Sequence, residues 1–208
     1  VTVGNGIDLT AAAYGGPTPG AAGGHALGGN VVLRSDTGLT LSADALSLDA
    51  ISFGGDAQSA GAAGTARGGD VLLMSAGTGT VNVAGPTYLS TQSTGGAGLG
   101  ETTAGGNGIG GVSRIVGQGG TLDLQGDAFV LAVGFGGAGN QGFSSGIGGD
   151  GFGGLAALTA GEPTILGNGS AITIGGQTLV SAEGSGGDAL SNCQETAHSN
   201  RHDTTPRR

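Results

Sequence analysis

The sequence predicts an all-β protein: a parallel β-helix (β-solenoid) of about 40-residue coils carrying glycine-rich excursions. Three observations carry that prediction. Gly-Gly pairs at Gly15-Gly16, Gly54-Gly55, Gly95-Gly96, Gly136-Gly137 and Gly186-Gly187 recur at spacings of 39, 41, 41 and 50 residues. Six residues before each pair stands a branched apolar residue (Leu9, Leu48, Leu89, Val130, Val180), and four before it a small one (Ala11, Ala50, Thr91, Ala132, Ala182). Just upstream run the alternating stretches Val1-Thr2-Val3, Leu39-Thr40-Leu41, Val81-Asn82-Val83, Leu122-Asp123-Leu124 and Ile172-Thr173-Ile174. A supersecondary unit repeated at this period buries its apolar edge against the next copy.

Taken along the chain, each copy offers three strand-like segments. The second copy has Val31-Val32-Leu33, Leu39-Thr40-Leu41 and Leu46-Ser47-Leu48-Asp49-Ala50. In the third, Asp70-Val71-Leu72-Leu73-Met74 is followed by Thr80-Val81-Asn82-Val83 and Tyr88-Leu89-Ser90-Thr91, with Gly77-Thr78-Gly79 and Gly85-Pro86 as corners. The fourth has Val112–Val116, Leu122–Leu124 and Phe129–Val133; the fifth has Leu155–Leu158, Ile172–Ile174 and Leu179–Ala182. Short β-branched or alternating runs punctuated by Gly and Pro read as strands and turns. Three strands and tight corners make a triangular coil. Alternation points Val81 and Val83 inward and Asn82 outward. The copies end near residues 38, 79, 120, 170 and 190, so residues 1–190 form one repeat domain.

The glycine-rich excursions cover residues 15–29, 54–69, 95–111 and 136–154, each closing on a second Gly-Gly. Glycine composition suits a flexible linker. Similar lengths, together with Ile109, Phe143, Ile147 and Phe152 as apolar anchors, suit ordered segments stacked Gly-to-Gly. The alternative fold, a glycine-rich polyproline-II bundle, extends that second reading to the whole chain. Residues 161–170 read as an insertion, a bulged corner of the last copy. From Ser191 the chain loses glycine and gains half of all its Arg, so residues 191–208 read as a polar tail, disordered or foreign to the repeat.

Composition excludes several functions. The chain has 51 Gly in 208 residues, no Trp, and a net charge of -9. Its six cationic side chains are all Arg, and residues 1–190 hold only Arg34, Arg67 and Arg114 against 13 acids. No basic patch for nucleic acid or anionic lipid can be assembled. No stretch is apolar enough for a membrane span, and no signal segment is recognisable. The chain opens on Val1 inside a strand, as a fragment of something longer would. The single Cys193 permits no intramolecular disulfide.

Candidate chemistry is sparse. No catalytic residue, metal site or cofactor is assigned. Asn107 and Asp150, in glycine-rich turns, are the weak candidates for a metal, because a calcium nonapeptide places oxygen ligands on successive turns; the nine-residue period is missing. Asp123 and Asp127 are the candidates for contact with a glycan, alongside the acids Asp44 and Asp49. Paired carboxylates in a groove carry glycoside hydrolysis. His198 and His202, four apart near Cys193, fall in the polar tail. No Walker-type loop is possible without lysine, and His25 is the only histidine before residue 191. The core is expected from Leu9, Leu48, Leu89, Val130 and Val180 in one column, and Ala11, Ala50, Thr91, Ala132 and Ala182 beside it.

The repeat text (Gly-Gly-x-Val-x-Leu, a corner, x-Val-x-Val, a corner, Leu-x-Ala, glycines) resembles bacterial filamentous-haemagglutinin-like and autotransporter passenger adhesins. The resemblance covers residues 1–190 and implies a right-handed parallel β-helix that is secreted or held at the cell surface. It implies a non-catalytic structural or adhesive role, with a cell-surface glycan or a host or matrix protein as partner. The glycine excursions are also similar to mycobacterial glycine-rich proteins and to glycine-rich antifreeze bundles. A carbohydrate-binding or carbohydrate-cleaving β-helix using the 161–170 bulge is one alternative function. Ice binding is another, against which Thr40, Thr80 and Thr121 sit at corners or singly rather than in a ladder. With strands beginning at Val1 and ending near Ala182, end-to-end self-association into filaments is expected.

Overall fold

The computed structural model describes residues 1–17, 22–59, 61–100, 103–139, 147–161 and 169–188. Its regular secondary structure there is entirely β-strand, wound into a parallel solenoid of five coils. Coil one holds β1 (Thr2–Val3), β2 (Ile7–Tyr14), β3 (Ala26–Leu27) and β4 (Asn30–Ser35). Coil two holds β5 (Thr40–Ala43), β6 (Leu46–Phe53), β7 (Ala66–Arg67) and β8 (Asp70–Ala76). Coil three holds β9 (Thr80–Val83), β10 (Thr87–Thr94), β11 (Gly108–Ile109) and β12 (Val112–Gln118). Coil four holds β13 (Thr121–Leu124), β14 (Ala128–Phe135), β15 (Gly151–Phe152) and β16 (Leu155–Ala160); coil five holds β17 (Ala171–Ile174) and β18 (Thr178–Ser185).

Equivalent strands pair in parallel with their counterparts one coil away, giving four sheets where the sequence suggested three. The first sheet is β1-β5-β9-β13-β17, the second β2-β6-β10-β14-β18, the third β3-β7-β11-β15 and the fourth β4-β8-β12-β16. The third sheet is the addition. Each of its strands has two residues and lies inside a glycine-rich excursion, directly before the closing Gly-Gly. Two residues cannot show a period, so no alternation announced it. The corner between the fourth and first sheets is turned each time by a glycine with positive φ: Gly38, Gly77, Gly119 and Gly161. A residue with a Cβ is disfavoured in that left-handed region.

The core is thin and aliphatic. Leu46, Leu48, Val71, Leu73, Val81, Val83, Leu89, Ile115, Leu122, Leu124 and Val130 form its buried cluster. Leu9, Leu48, Leu89, Val130 and Val180 occupy one register column of the second sheet, and Ala11, Ala50, Thr91, Ala132 and Ala182 occupy the next inward one. Leu48, Leu89 and Val130 are fully buried, whereas Leu9 is 40% and Val180 42% exposed. Coils one and five each meet a neighbouring coil on one side only, which leaves those two side chains half covered. Six buried hydroxyls, on Ser52, Ser75, Thr87, Thr91, Ser93 and Ser113, have no hydrogen-bond partner among the described residues.

The described parts of the excursions are ordered arms held by backbone contact. One chain of hydrogen bonds climbs from coil to coil through both limbs. The amide of Gly24 donates to Gly16, Gly55 to Gly24, Gly64 to Gly55, Gly96 to Gly64, Gly106 to Gly96, Gly137 to Gly106, Gly149 to Gly137 and Gly187 to Gly149. A Cβ on Gly55, Gly64, Gly96, Gly106, Gly137 or Gly149 would overlap the carbonyl oxygen of a facing glycine. Glycine is therefore required by close approach and not only tolerated. The apolar anchors expected for these arms are not buried in them: Ile147 is 70% and Phe152 49% exposed, and Ile109 is half-buried. Phe143, most of the 161–170 insertion and the tail with Cys193, His198 and His202 lie outside the described residues.

Candidate functional site

Alternation in the second sheet sends residues 46, 48, 50 and 52, and their register partners, inward and the intervening ones outward. Those outward positions collect the aromatic side chains. The chain has seven Phe and Tyr residues, and five of them (Tyr14, Phe53, Tyr88, Phe129 and Phe135) stand on the outer face of this sheet. None fills the core, which Leu, Val and Ala already close. Ile51, Leu131 and Val133 stand on the same face, half-buried by their neighbours.

The aromatics form two groups at opposite ends of the strands. At the start of the strands, Tyr88 and Phe129 meet with ring centroids 6.1 Å apart, and Tyr88 borders an apolar notch with Ile7, Leu46 and Pro86. At the end of the strands, Tyr14 and Phe53 are stacked at 5.4 Å with planes 10° apart. This second group overlooks a groove of about 480 Å³, floored by Gly15 and the opening Gly-Gly pairs of coils two to four and bordered by Asp56 and Thr94. The ring column follows the register: Tyr14, Phe53, Thr94, Phe135, Ser185. Each member directly precedes a Gly-Gly pair, a signal present in the sequence and missed there.

Charge on this face is acidic. Asp8 accepts from the Thr10 hydroxyl at 3.4 Å and Asp49 from the Ser47 hydroxyl at 2.7 Å. Burial pushes the Asp49 carboxyl above the ordinary carboxylate range, the Ser47 hydrogen bond opposes that, and the nearby Asp8 charge adds to it. Arg34 and Arg114 instead face outward on the fourth sheet, and Arg67 on the third. Arg34 forms an exposed ion pair with Asp36 at its own corner.

The first sheet shows a different outer surface. Thr40, Thr80 and Thr121 are register partners, so they form a three-rung ladder, contrary to the sequence expectation that they stand singly. Beside it run Thr2, Ser42, Asn82, Asp123 and Thr173. The ladder was hidden because the three threonines are 40 and 41 residues apart and only register aligns them.

The residues singled out for glycan chemistry do not converge. Asp123 lies on the first sheet's polar face, 3.4 Å from the Gln125 amide group. Asp127 sits at the next corner, where its carboxylate accepts the backbone amide of Gln177 in the adjacent coil at 2.7 Å. Neither borders the aromatic groove. Asn107 and Asp150, the weak metal candidates, are stacked in successive coils, with the Asn107 side-chain oxygen accepting the Asp150 amide at 2.9 Å. His25 makes the same kind of bond at the same position of the arm in coil one, its Nδ1 accepting the Thr65 amide of coil two at 2.9 Å. These side chains stitch coils together. Among the described residues no three His, Cys, Asp or Glu side chains gather as a metal site would require, and no helix is long and apolar enough to cross a membrane. No protein-family model, curated protein or solved structure matches the chain.

Proposed function

We propose that this protein is a structural and adhesive solenoid, secreted or displayed at a cell surface, whose contact surface is the outer face of the second sheet. One observation carries the reading: five of seven aromatic side chains lie on that face although the core needs none of them. Aromatic side chains give large contact area at low entropic cost and concentrate at recognition surfaces. The repeat text's resemblance to filamentous-haemagglutinin-like and autotransporter passenger adhesins supports the same role. A glycan or a host or matrix protein is the partner class, and copies stacked coil on coil would multiply a weak contact into avidity.

The test is adhesion of protein-coated particles to polysaccharide-coated and matrix-protein-coated surfaces under flow. Phe129→Ser with Leu131→Ser alters the centre of the face without touching an inward position. Retention is expected to fall at least tenfold, with the far-UV spectrum unchanged. Equal retention by the variant, or loss caused instead by Thr80→Val on the first sheet, would overturn the assignment. The Thr40-Thr80-Thr121 ladder supports a second reading, ice binding, in which Thr80→Val abolishes thermal hysteresis; a wild-type protein without hysteresis removes it.

A further inference from the structure

We infer that the groove beside Tyr14 and Phe53 is a binding site for a neutral pyranose chain, one ring of which enters the column at coil three. The inference deepens the adhesive reading and rests on it only for its biological use. Three features converge. The first is an open ring face. Tyr14 and Phe53 stack across adjacent coils, so one face of Phe53 is covered and the other turns toward coil three. There Thr94 replaces the ring that would continue the column, and Phe135 follows one coil further on. Coils are spaced by about 4.8 Å, so a six-membered ring above Thr94 sits about that far from Phe53, within the roughly 4.5–7 Å at which rings stack.

The second feature is the polarity of the floor. Every glycine amide that could serve a ligand is already spent. Gly15 donates to Phe53, Gly54 to Thr94, Gly55 to Gly24, Gly95 to Phe135, Gly96 to Gly64, and the Ala97 amide to the Asp56 carboxylate at 2.8 Å. Apart from the hydroxyls of Tyr14 and Thr94, which can donate or accept, the groove therefore offers acceptors, including the second oxygen of Asp56. A ligand that fits must bring hydroxyl donors and an apolar face. A pyranose has both. The third feature is charge. Among the described residues no Arg lines the groove and Asp56 does, in a chain of net charge -9, so uronates, sulfated glycans and phosphate esters are disfavoured.

The chain provides its own probe. Tyr14 and Tyr88 are its only tyrosines and it has no Trp, so in a Tyr88→Phe background Tyr14 alone reports by fluorescence. Cellohexaose, maltohexaose and chitohexaose are titrated into that protein, with hexagalacturonate and a Gly-Phe repeat hexapeptide as controls. At least one neutral hexaose is expected to change Tyr14 emission saturably. Phe53→Ala should weaken that binding on the order of tenfold. Thr94→Phe, which completes the ring column from an outward position, should abolish it without lowering the unfolding midpoint. If Thr94→Phe does not fold, Phe53→Ala alone decides. No saturable response to any neutral hexaose, an equal response to hexagalacturonate, saturation by the peptide alone, or undiminished binding in the folded variants would each overturn the inference. Particles that adhere through the Phe129 face while no hexaose binds would refute the sugar site and leave the adhesive reading standing; hexaose binding without adhesion would do the reverse.

Discussion

Gly96 and Gly16 occupy the same column of the arm, yet replacing each by alanine should shift stability in opposite directions. A Cβ on Gly96 would overlap the Gly55 carbonyl oxygen and lie 2.6 Å from its carbon and 2.9 Å from the Gly54 oxygen. Relief requires the opening limbs of coils two and three to part by on the order of 1 Å, since relaxed carbon contacts need about 3.5–4 Å. That parting strains the bonds from Gly96 to Gly64 at 3.0 Å and from Gly106 to Gly96 at 2.9 Å. Two weakened hydrogen bonds at about 1 kcal/mol each and overpacking of about 1–3 kcal/mol are offset by about 0.4–1 kcal/mol of lost unfolded-chain entropy. The expected net loss is about 2–4 kcal/mol. Gly16 has no described residue within 4 Å of its Cβ position and no positive φ, so only the entropic gain of about 0.4–1 kcal/mol applies. Urea unfolding followed by far-UV circular dichroism measures both. Exchange of the Gly106 amide, read site by site, shows whether the arm opens separately. Two variants within about 0.5 kcal/mol of one another would show that the arms are not held by glycine contact.

Three further outcomes follow from the fold. Leu89→Asp puts a carboxylate at a fully buried position between Leu48 and Val130, and denaturant melts should show a loss of several kcal/mol, on the order of 3–5; Leu9→Asp, in the same column but 40% exposed, should lose less than half as much. Thr91→Val removes an unpartnered buried hydroxyl between Ala50 and Ala132 and is expected to gain about 1 kcal/mol in the same melts, a loss refuting its status as unpaired. Because burial holds the folded Asp49 carboxyl above the ordinary carboxylate value of 3.8, the native state holds that proton more tightly, so its contribution to stability is fullest below about pH 3.8 and is lost as pH rises through the folded value; melts of Asp49→Asn across that window should have a flatter pH dependence than wild type, and identical slopes would contradict the burial argument.

The sequence made the coil legible where side chains alternate at close range. Val81-Asn82-Val83 and Leu122-Asp123-Leu124 declare an inward and an outward side within three residues, and the Leu89 column followed from counting back from the glycine pairs. Features written across coils were harder to see. The Thr40-Thr80-Thr121 ladder exists only once register is known. The third sheet was illegible because its strands are two residues long and use Ala or Gly on the inner side. The aromatic groove was not legible for a chemical reason. Acids were sought because carboxylates carry reactions, and Asp123 and Asp127 proved to be, respectively, a surface side chain and a clasp between coils. Rings standing before the Gly-Gly pairs were counted only as evidence of a meagre core.

The placement of those rings separates what the fold needs from what it carries. Coil geometry is specified by inward Leu, Val and Ala, by positive-φ glycines at one corner, and by glycines that touch across the arm. The outward position before each opening pair enters none of these. Its occupants are Tyr14, Phe53, Thr94, Phe135 and Ser185, and coils three and five keep the same parallel register with a hydroxyl side chain there as coils one, two and four keep with a ring. A ring is thus dispensable for pairing. Leaving Tyr14 73%, Phe53 36% and Phe135 38% exposed costs solubility that a Ser or Thr would not. In a chain so poor in aromatics, side chains that the fold does not require and that water disfavours are the ground on which the proposed ligand contact rests.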